Sequence, residues 1–232
     1  MNKVHLTKWL DNGMILFVEG VHLMGSIRPA GRITIEWSAP MAYAVGLIAT
    51  DGCLSSDGRH IDFTSKDVDL IETFKECLGL DNQIEIKQGG FGTTVYRIQF
   101  SDVKLYKWLQ EIGLTSAKTK IISELDIPDE WFFDFLRGHL DGDGNIRVYQ
   151  DPIYPNSQRL YTKFSSASLA HLEWLRESIW RMLNISGQIR SRTRVYKLVY
   201  AKRASVVLLQ AMYHDPNVPC LERKRRLVES FL

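Results

Sequence analysis

The chain has 232 residues, 45% of them hydrophobic and 24% charged, which is the composition of an ordinary globular protein. Its net charge of +2 is too small to identify a partner, and its three scattered cysteines support neither a disulfide framework nor a zinc knuckle. No apolar run approaches the ~18 residues of a membrane span, so we expect a cytoplasmic protein with no membrane partner.

Residues 1–39 form an N-terminal extension that stands apart from the pattern after it. Two segments of the extension, MILFV (14–18) and RITIEW (32–37), look like strands, and we assign them no function. The next segment, PMAYAVGLIATDG (40–52), has apolar or small residues nearly all round, which is typical of a buried helix.

A second segment of this kind, FFDFLRGHLDGDG (132–144), begins a repeat of the first half of the chain. Each half predicts the order helix, strand, strand, helix, strand, strand, helix, with a Ser/Thr cap before the middle helix. The halves span 40–122 and 131–232, joined by a linker at 123–130. Four downstream pairs match in the same order: 60–74 with 161–175, 78–86 with 183–191, 95–100 with 195–200 and 107–110 with 207–210.

The predicted strands alternate between apolar and polar residues. In the first half, Ile61 and Phe63 are expected to face a core, while Asp62 points outward. The same alternation runs through VYRIQF (95–100) and VYKLVY (195–200). Each sheet should therefore have one face covered by helices and one polar face.

Both motif segments end in Asp-Gly, at Asp51 and Asp143. A calcium loop starting at Asp141 is excluded, because Ile146 and Pro152 stand where such a loop needs Gly and Glu. A plain turn would explain either Asp-Gly alone, but their shared place in the repeat favours a paired acid site.

Close packing of the two motif helices would make the paired carboxylates neighbours. Gly46 and Gly138 would let the two backbones approach each other, which brings the ends at Asp51 and Asp143 together. Two carboxylates at the negative ends of helices repel each other, so we expect a divalent cation, Mg²⁺, between them and a substrate phosphate.

The segments AVGLIATDG (44–52) and LRGHLDGDG (136–144) resemble the two signature motifs of the single-chain LAGLIDADG homing endonucleases. The resemblance covers roughly residues 38 to 232. Ala49 departs from the pattern by replacing the first acid of its motif. His139 departs by replacing an apolar residue, and we expect it either buried or near DNA.

The resemblance implies an α+β fold with two pseudo-symmetric αββαββα halves forming a saddle-shaped antiparallel-sheet surface for DNA. It implies Mg²⁺-dependent cleavage of both strands of a long pseudo-palindromic or asymmetric target by a monomer, leaving short 3′ overhangs. The metal ligands would be the carboxylates of Asp51 and Asp143 and the backbone carbonyls of Thr50 and Gly142. Lys118 and Lys224 would lie near the cleaved phosphates. The residues expected to contact DNA are His60, Thr64, Arg97, Gln99, Arg147, Lys163, Gln188, Arg190, Arg192 and Lys197.

Two other functions remain open on the same scaffold. One is a DNA-binding regulator that does not cleave, and the other is a maturase that acts on its own intron RNA. Retention of both acids favours cleavage. The ends of the chain lack intein splicing residues, so we expect a free-standing or intron-encoded enzyme. The basic run RKRR (223–226) is interpreted equally well as a solvated helix face or as a phosphate clamp.

Overall fold

The computed structural model describes residues 33–88, 92–116, 122–192 and 195–232, with the backbone alone at position 192. Lys118 and the predicted strand at 14–18 lie outside these ranges. The strand predicted at 32–37 is wrong for its described part, because residues 33–37 form no strand. This segment packs instead of pairing: Ile33 enters the core, and the ring of Trp37 lies 4.8 Å from that of Trp108.

The first half begins with a helix whose start is specified locally. The hydroxyl of Ser38 accepts a hydrogen bond from the backbone nitrogen of Met41 at 3.3 Å, and Pro40 occupies the first turn. The elements are α1 (Ala39–Thr50), β1 (Gly52–Leu54), β2 (His60–Ser65), α2 (Val68–Leu78), β3 (Glu85–Gln88), β4 (Thr94–Ser101) and α3 (Val103–Glu111).

The second half repeats this order, as predicted. A short 3-10 turn (Asp129–Trp131) precedes its first helix. The elements are α4 (Phe132–Asp141), β5 (Asn145–Gln150), β6 (Gln158–Ser166), α5 (Leu169–Leu183), β7 (Gln188–Arg192), β8 (Val195–Ala201) and α6 (Lys202–Met212), followed by the short α7 (Glu222–Arg226) and a 3-10 turn (Glu229–Phe231).

The predicted caps differ between the halves. In the second half, Ser168 caps α5 through a hydrogen bond from the backbone of His171, and Asn184, with a φ of 52°, caps the other end of the helix. In the first half the cap residue is Asp67, whose side chain does not cap α2. No Ser/Thr side chain therefore caps the start of α2. The carboxylate of Asp67 instead pairs with Arg223 in the second half of the chain.

Each half contains an antiparallel four-stranded sheet. The strand orders are β1-β2-β4-β3 and β5-β6-β8-β7, so the two sheets have the same topology. Ile61 and Phe63 are buried on the helix side of the first sheet, where Phe63 lies 4.7 Å from Phe74 of α2. Leu198 and Tyr200 are buried in the same way in the second sheet. The α+β class and the predicted alternation are confirmed.

Helices α1 and α4 make the most extensive contact between helices among the described residues. A Cβ atom placed on Gly46 would lie 2.1 Å from the carbonyl oxygen of Phe135. One placed on Gly138 would lie 2.1 Å from the carbonyl oxygen of Tyr43. The backbones of the two helices therefore touch at these glycines, as the repeat predicted. No helix in the described ranges is long and apolar enough to cross a membrane.

Candidate carboxylate site and nucleic-acid interface

The contact between α1 and α4 brings the two acid-bearing helix ends together. Asp51 follows the last residue of α1, Asp143 lies two residues beyond the end of α4, and both side chains are exposed. A Cβ on Gly142 would lie 2.0 Å from the hydroxyl of Thr50 and 3.1 Å from Oδ2 of Asp51. Only a glycine leaves room for this approach, so the turn that carries Asp143 packs directly on the turn that carries Asp51.

The atoms at this junction suit a hard divalent cation. The predicted donors are all oxygens: the carboxylates of Asp51 and Asp143 and the carbonyls of Thr50 and Gly142. The described residues contain no group of three or more His, Cys, Asp or Glu that could form a metal cage. Water and phosphate oxygens would therefore complete the coordination of a cation here, as is usual for protein-bound Mg²⁺. The junction fits the predicted ion, and the four ligand roles stay predictions.

Asp141, two residues before Asp143, has a different role from the exposed acid. Its side chain is buried, and its Oδ2 accepts hydrogen bonds from the hydroxyl of Tyr43 at 2.8 Å and the backbone nitrogen of Leu221 at 2.7 Å. Burial raises the pKa of Asp141 to about 6, against the lowering effect of Lys224. The sequence carried one signal of this difference, since buried Ala49 occupies the equivalent place in the first half.

Lys224 closes the end of α4 from within the protein. Its ammonium donates to the carbonyl oxygens of Leu140 at 2.6 Å, Asp141 at 2.9 Å and Gly144 at 2.8 Å, and only 5% of the residue is exposed. Burial lowers the pKa of Lys224, while the nearby carboxylate of Asp141 raises it. An ammonium has three hydrogens, and all three are used here. Lys224 thus positions the Asp143 turn, and its predicted contact with phosphate stays a prediction.

We expect Lys224→Met to destabilise the protein by about 2–4 kcal/mol, because three carbonyls at the helix end lose their donor. Urea denaturation would measure the free energy of unfolding. Arg226→Met is the matched control in the same helix, since Arg226 is solvent-exposed and pairs with Glu222. Equal stability of the two variants would contradict the positioning role.

The three arginines of the basic run at 223–226 also form hydrogen bonds with other residues of the protein. Arg223 donates to both carboxylate oxygens of Asp67, at 2.9 and 2.7 Å, and so ties α7 to the start of α2. Arg225 donates to the carbonyl of Pro216, and Arg226 pairs with Glu222. Three residues of the run therefore have partners outside their own helix, while Arg223 and Arg226 remain exposed on its surface. The solvated helix face and the phosphate clamp both stay predictions.

His139 is buried, which was the first of the two positions expected for it. It is 2% exposed, and its ring stacks on that of His171 with centroids 5.2 Å apart. Phe164 of β6 lies edge-on at 5.8 Å. His139 is therefore part of the packing between α4, α5 and the second sheet.

The polar face of the second sheet is strongly basic. Strand pairing places Arg147 opposite Tyr161, and Arg190 opposite Lys197, on one face. The guanidinium of Arg147 lies 4.9 Å from the ring of Tyr149. None of the predicted contact residues Arg147, Lys163, Arg190 and Lys197 forms an ion pair with a carboxylate in the described part of the chain. Their charge is thus available to a phosphate backbone.

Two tyrosines on this face were missed at the sequence level. Tyr149 and Tyr161 stack with centroids 6.1 Å apart, and the ammonium of Lys163 lies 5.8 Å from the Tyr161 ring. The alternation of the strands could have placed both tyrosines on the polar face. Gln188 and the backbone of Arg192 belong to the same sheet, on its edge strand β7.

The polar face of the first sheet has its charges paired. His60 contacts Asp57, and Arg97 forms ion pairs with Asp62 and Glu85. Thr64 lies opposite Arg97 in the β2–β4 pairing, and Gln99 lies opposite Asp62. All four residues predicted to contact DNA from this half lie on one face, as expected. The sequence did not indicate that three of them, His60, Arg97 and Gln99, would be bound to carboxylates.

Comparison with known proteins agrees with this geometry. Residues 39–113 match the family model described as a LAGLIDADG-like domain. A curated relative, the A-type ATP synthase B subunit of Methanopyrus kandleri (strain AV19), is 25% identical over 138 residues. That match covers 56% of this chain and 13% of the relative, so the chain corresponds to a small part of that protein.

Solved structures share the fold at low identity. Full-length DUF199/WhiA from Thermatoga maritima has a TM-score of 0.54 at 18% identity, covering 85% of this chain and 62% of that chain. The I-LtrWI LAGLIDADG homing endonuclease bound to target DNA has a TM-score of 0.53 at 14% identity, covering 83% and 88%. A variant of I-DmoI with its target DNA and 2 mM Mn has a TM-score of 0.51 at 18% identity, covering 78% and 96%.

Proposed function

Since this chain belongs to the LAGLIDADG family, by the match of residues 39–113 and by its fold, we propose that it is a site-specific, metal-dependent DNA endonuclease. The observation that carries the proposal is the contact between the ends of α1 and α4, each with an exposed Asp beyond it. The fold alone does not require cleavage, because its structural relatives include proteins named WhiA as well as homing endonucleases.

In the proposed mechanism, the groups that bind the catalytic metal lie at the C-terminal ends of α1 and α4. Asp51 and Asp143 would hold Mg²⁺ with the carbonyls of Thr50 and Gly142. The bound ion would supply a nucleophilic water and offset charge on the leaving oxygen. The residues behind the acids keep the turns rigid: Gly142 allows them to pack together, and Lys224 holds the carbonyls around Asp143.

The sheets would bind the duplex. Because both sheets and both acids belong to one chain, a monomer could engage both halves of a long asymmetric target. The basic face of the second sheet would supply much of the attraction to phosphates, which does not depend on DNA sequence. Lys118, close to the cleaved phosphates by the family comparison, stays a prediction, as does residence in the cytoplasm.

We expect the double variant Arg190→Ala, Lys197→Ala to bind duplex DNA more weakly. The slope of log affinity against log salt should also become less steep, by about one for each phosphate that the variant no longer neutralises. Fluorescence anisotropy over a series of salt concentrations would measure both quantities. Lys107→Ala is the control, because this exposed residue lies in α3 on the helix side of its sheet. An unchanged slope in the double variant would contradict the assignment of the binding face.

A selection followed by cleavage would test the proposed function. The protein would first be used with Ca²⁺ to enrich sequences from randomised duplex DNA, and the enriched duplexes would then be incubated with Mg²⁺. Cutting of both strands at one position in Mg²⁺ is the expected result. Specific binding without cutting would establish the regulator alternative, and absence of any enriched sequence would overturn the DNA-binding function.

A further inference from the structure

Arg97 is held in one orientation on the polar face of the first sheet. Its Nε donates to one carboxylate oxygen of Asp62, and its Nη2 donates to the other at 2.6 Å. The two side chains are only 18% and 16% exposed. This is a side-on bidentate pair, in which Asp62 takes the Nε hydrogen and one Nη2 hydrogen of the guanidinium.

The outer edge of the same guanidinium keeps its hydrogens for another partner. A guanidinium has five N–H donors, and the end-on pair, one from each Nη, points away from a carboxylate bound side-on. Only Glu85 contacts this side among the described residues, with Oε2 3.4 Å from Nη1. The Glu85 side chain is 51% exposed on edge strand β3, so it can swing away when a stronger acceptor arrives.

The charge around Arg97 is unsuited to a phosphate. Arg97 and Lys87 face the carboxylates of Asp62 and Glu85, so the cluster has no net positive charge, unlike the basic face of the second sheet. A base edge, however, carries no formal charge. The major-groove edge of guanine presents two acceptors, O6 and N7, at the spacing of the end-on pair of an arginine.

We propose that Arg97, held by Asp62, reads a guanine in the major groove of the half-site bound by the first half of the chain. This inference rests on the proposed function and names one determinant of its DNA specificity. Asp62 is a positioning residue, because it orients the fork of Arg97 and touches no base. The side chain is ordered before DNA binds, so guanine recognition loses less conformational entropy than with a mobile arginine.

The test compares the sequences that variants enrich from randomised duplex DNA in Ca²⁺. The wild-type protein is expected to enrich guanine at one position of one half-site. Replacing that guanine with adenine should weaken wild-type binding by about ten- to a hundred-fold. Arg97→Ala should lose the guanine preference at this position and keep the sequence preferences at the other positions, which also shows that the variant is folded.

Two further variants separate orientation from charge. Asp62→Asn should weaken the guanine preference, because the amide cannot accept both arginine hydrogens with two oxygens. Glu85→Gln is the control, because it also removes one negative charge from the same face. This variant should keep the guanine preference.

Two results would overturn the inference while leaving the DNA-binding function intact. One is an identical motif from the wild-type protein and Arg97→Ala. The other is a G·C preference that Arg97→Ala only weakens and Asp62→Asn abolishes, since Asp62 would then be the group that reads the base pair, at the amino group of its cytosine. If the wild-type protein enriched no sequence, the proposed function itself would be overturned and the inference with it.

Discussion

Replacement of Asp143 by Asn is expected to lower the rate of double-strand cleavage by about 10³-fold, a loss typical of removing a charged group that acts in the transition state. The substitution keeps the shape of the side chain but removes the negative charge that would hold Mg²⁺. Affinity for the target should stay the same or rise, because the carboxylate repels DNA phosphates. We expect the same result for Asp51→Asn.

Single-turnover cleavage in Mg²⁺ would measure the chemical step, and binding in Ca²⁺ would measure affinity separately. Glu124→Gln is a suitable control, because it removes an exposed carboxylate in the segment between the halves. Cleavage at the wild-type rate by either acid variant would exclude that acid from the chemistry. Loss of binding in both variants, with unchanged folding, would contradict the separation between binding faces and cleaving helix ends. Stimulation of intron splicing by the Asp143→Asn protein would support the maturase alternative.

Replacement of Gly46 or Gly138 by Ala is expected to destabilise the protein by more than about 3 kcal/mol. In an exposed helix this change would stabilise by up to about 1 kcal/mol, because Ala is the better helix former. Here the added Cβ would lie 2.1 Å from a backbone oxygen of the other helix. Backbone cannot turn aside as a flexible side chain can, so the helices must separate and the junction at Asp51 and Asp143 must loosen.

Urea denaturation would give the free energy of unfolding, and cleavage of the target would report on the junction. Gly79→Ala is the matched control: Gly79 has a φ of +62° and no atom near a Cβ, so backbone strain of about 1 kcal/mol is its only expected cost. A Gly46→Ala protein as stable as wild type would show that α1 and α4 are not held together as closely as the structure describes.

The sequence by itself determined the repeat, the order of its elements, the polar faces of the sheets and the positions of Asp51 and Asp143. These features depend on short-range periodicity and on turn residues, which neighbouring side chains specify. The same local reasoning was wrong for residues 33–37. Their β-branched and aromatic residues suit a strand, but a strand also needs a partner, and in the structure Trp37 packs on Trp108.

Only the tertiary structure decided which charged residues are available to a ligand. Lys224 reaches the carbonyl of Leu140, and Arg223 reaches Asp67, across 84 and 156 positions of the chain. Arg97 and Lys197 occupy equivalent strands, yet Arg97 is bound by Asp62, and Lys197 has no carboxylate partner within the described ranges. Ion pairs depend on distances between side chains that only folding brings together, so a charge pattern along the chain cannot separate a structural cation from one that is free to bind DNA.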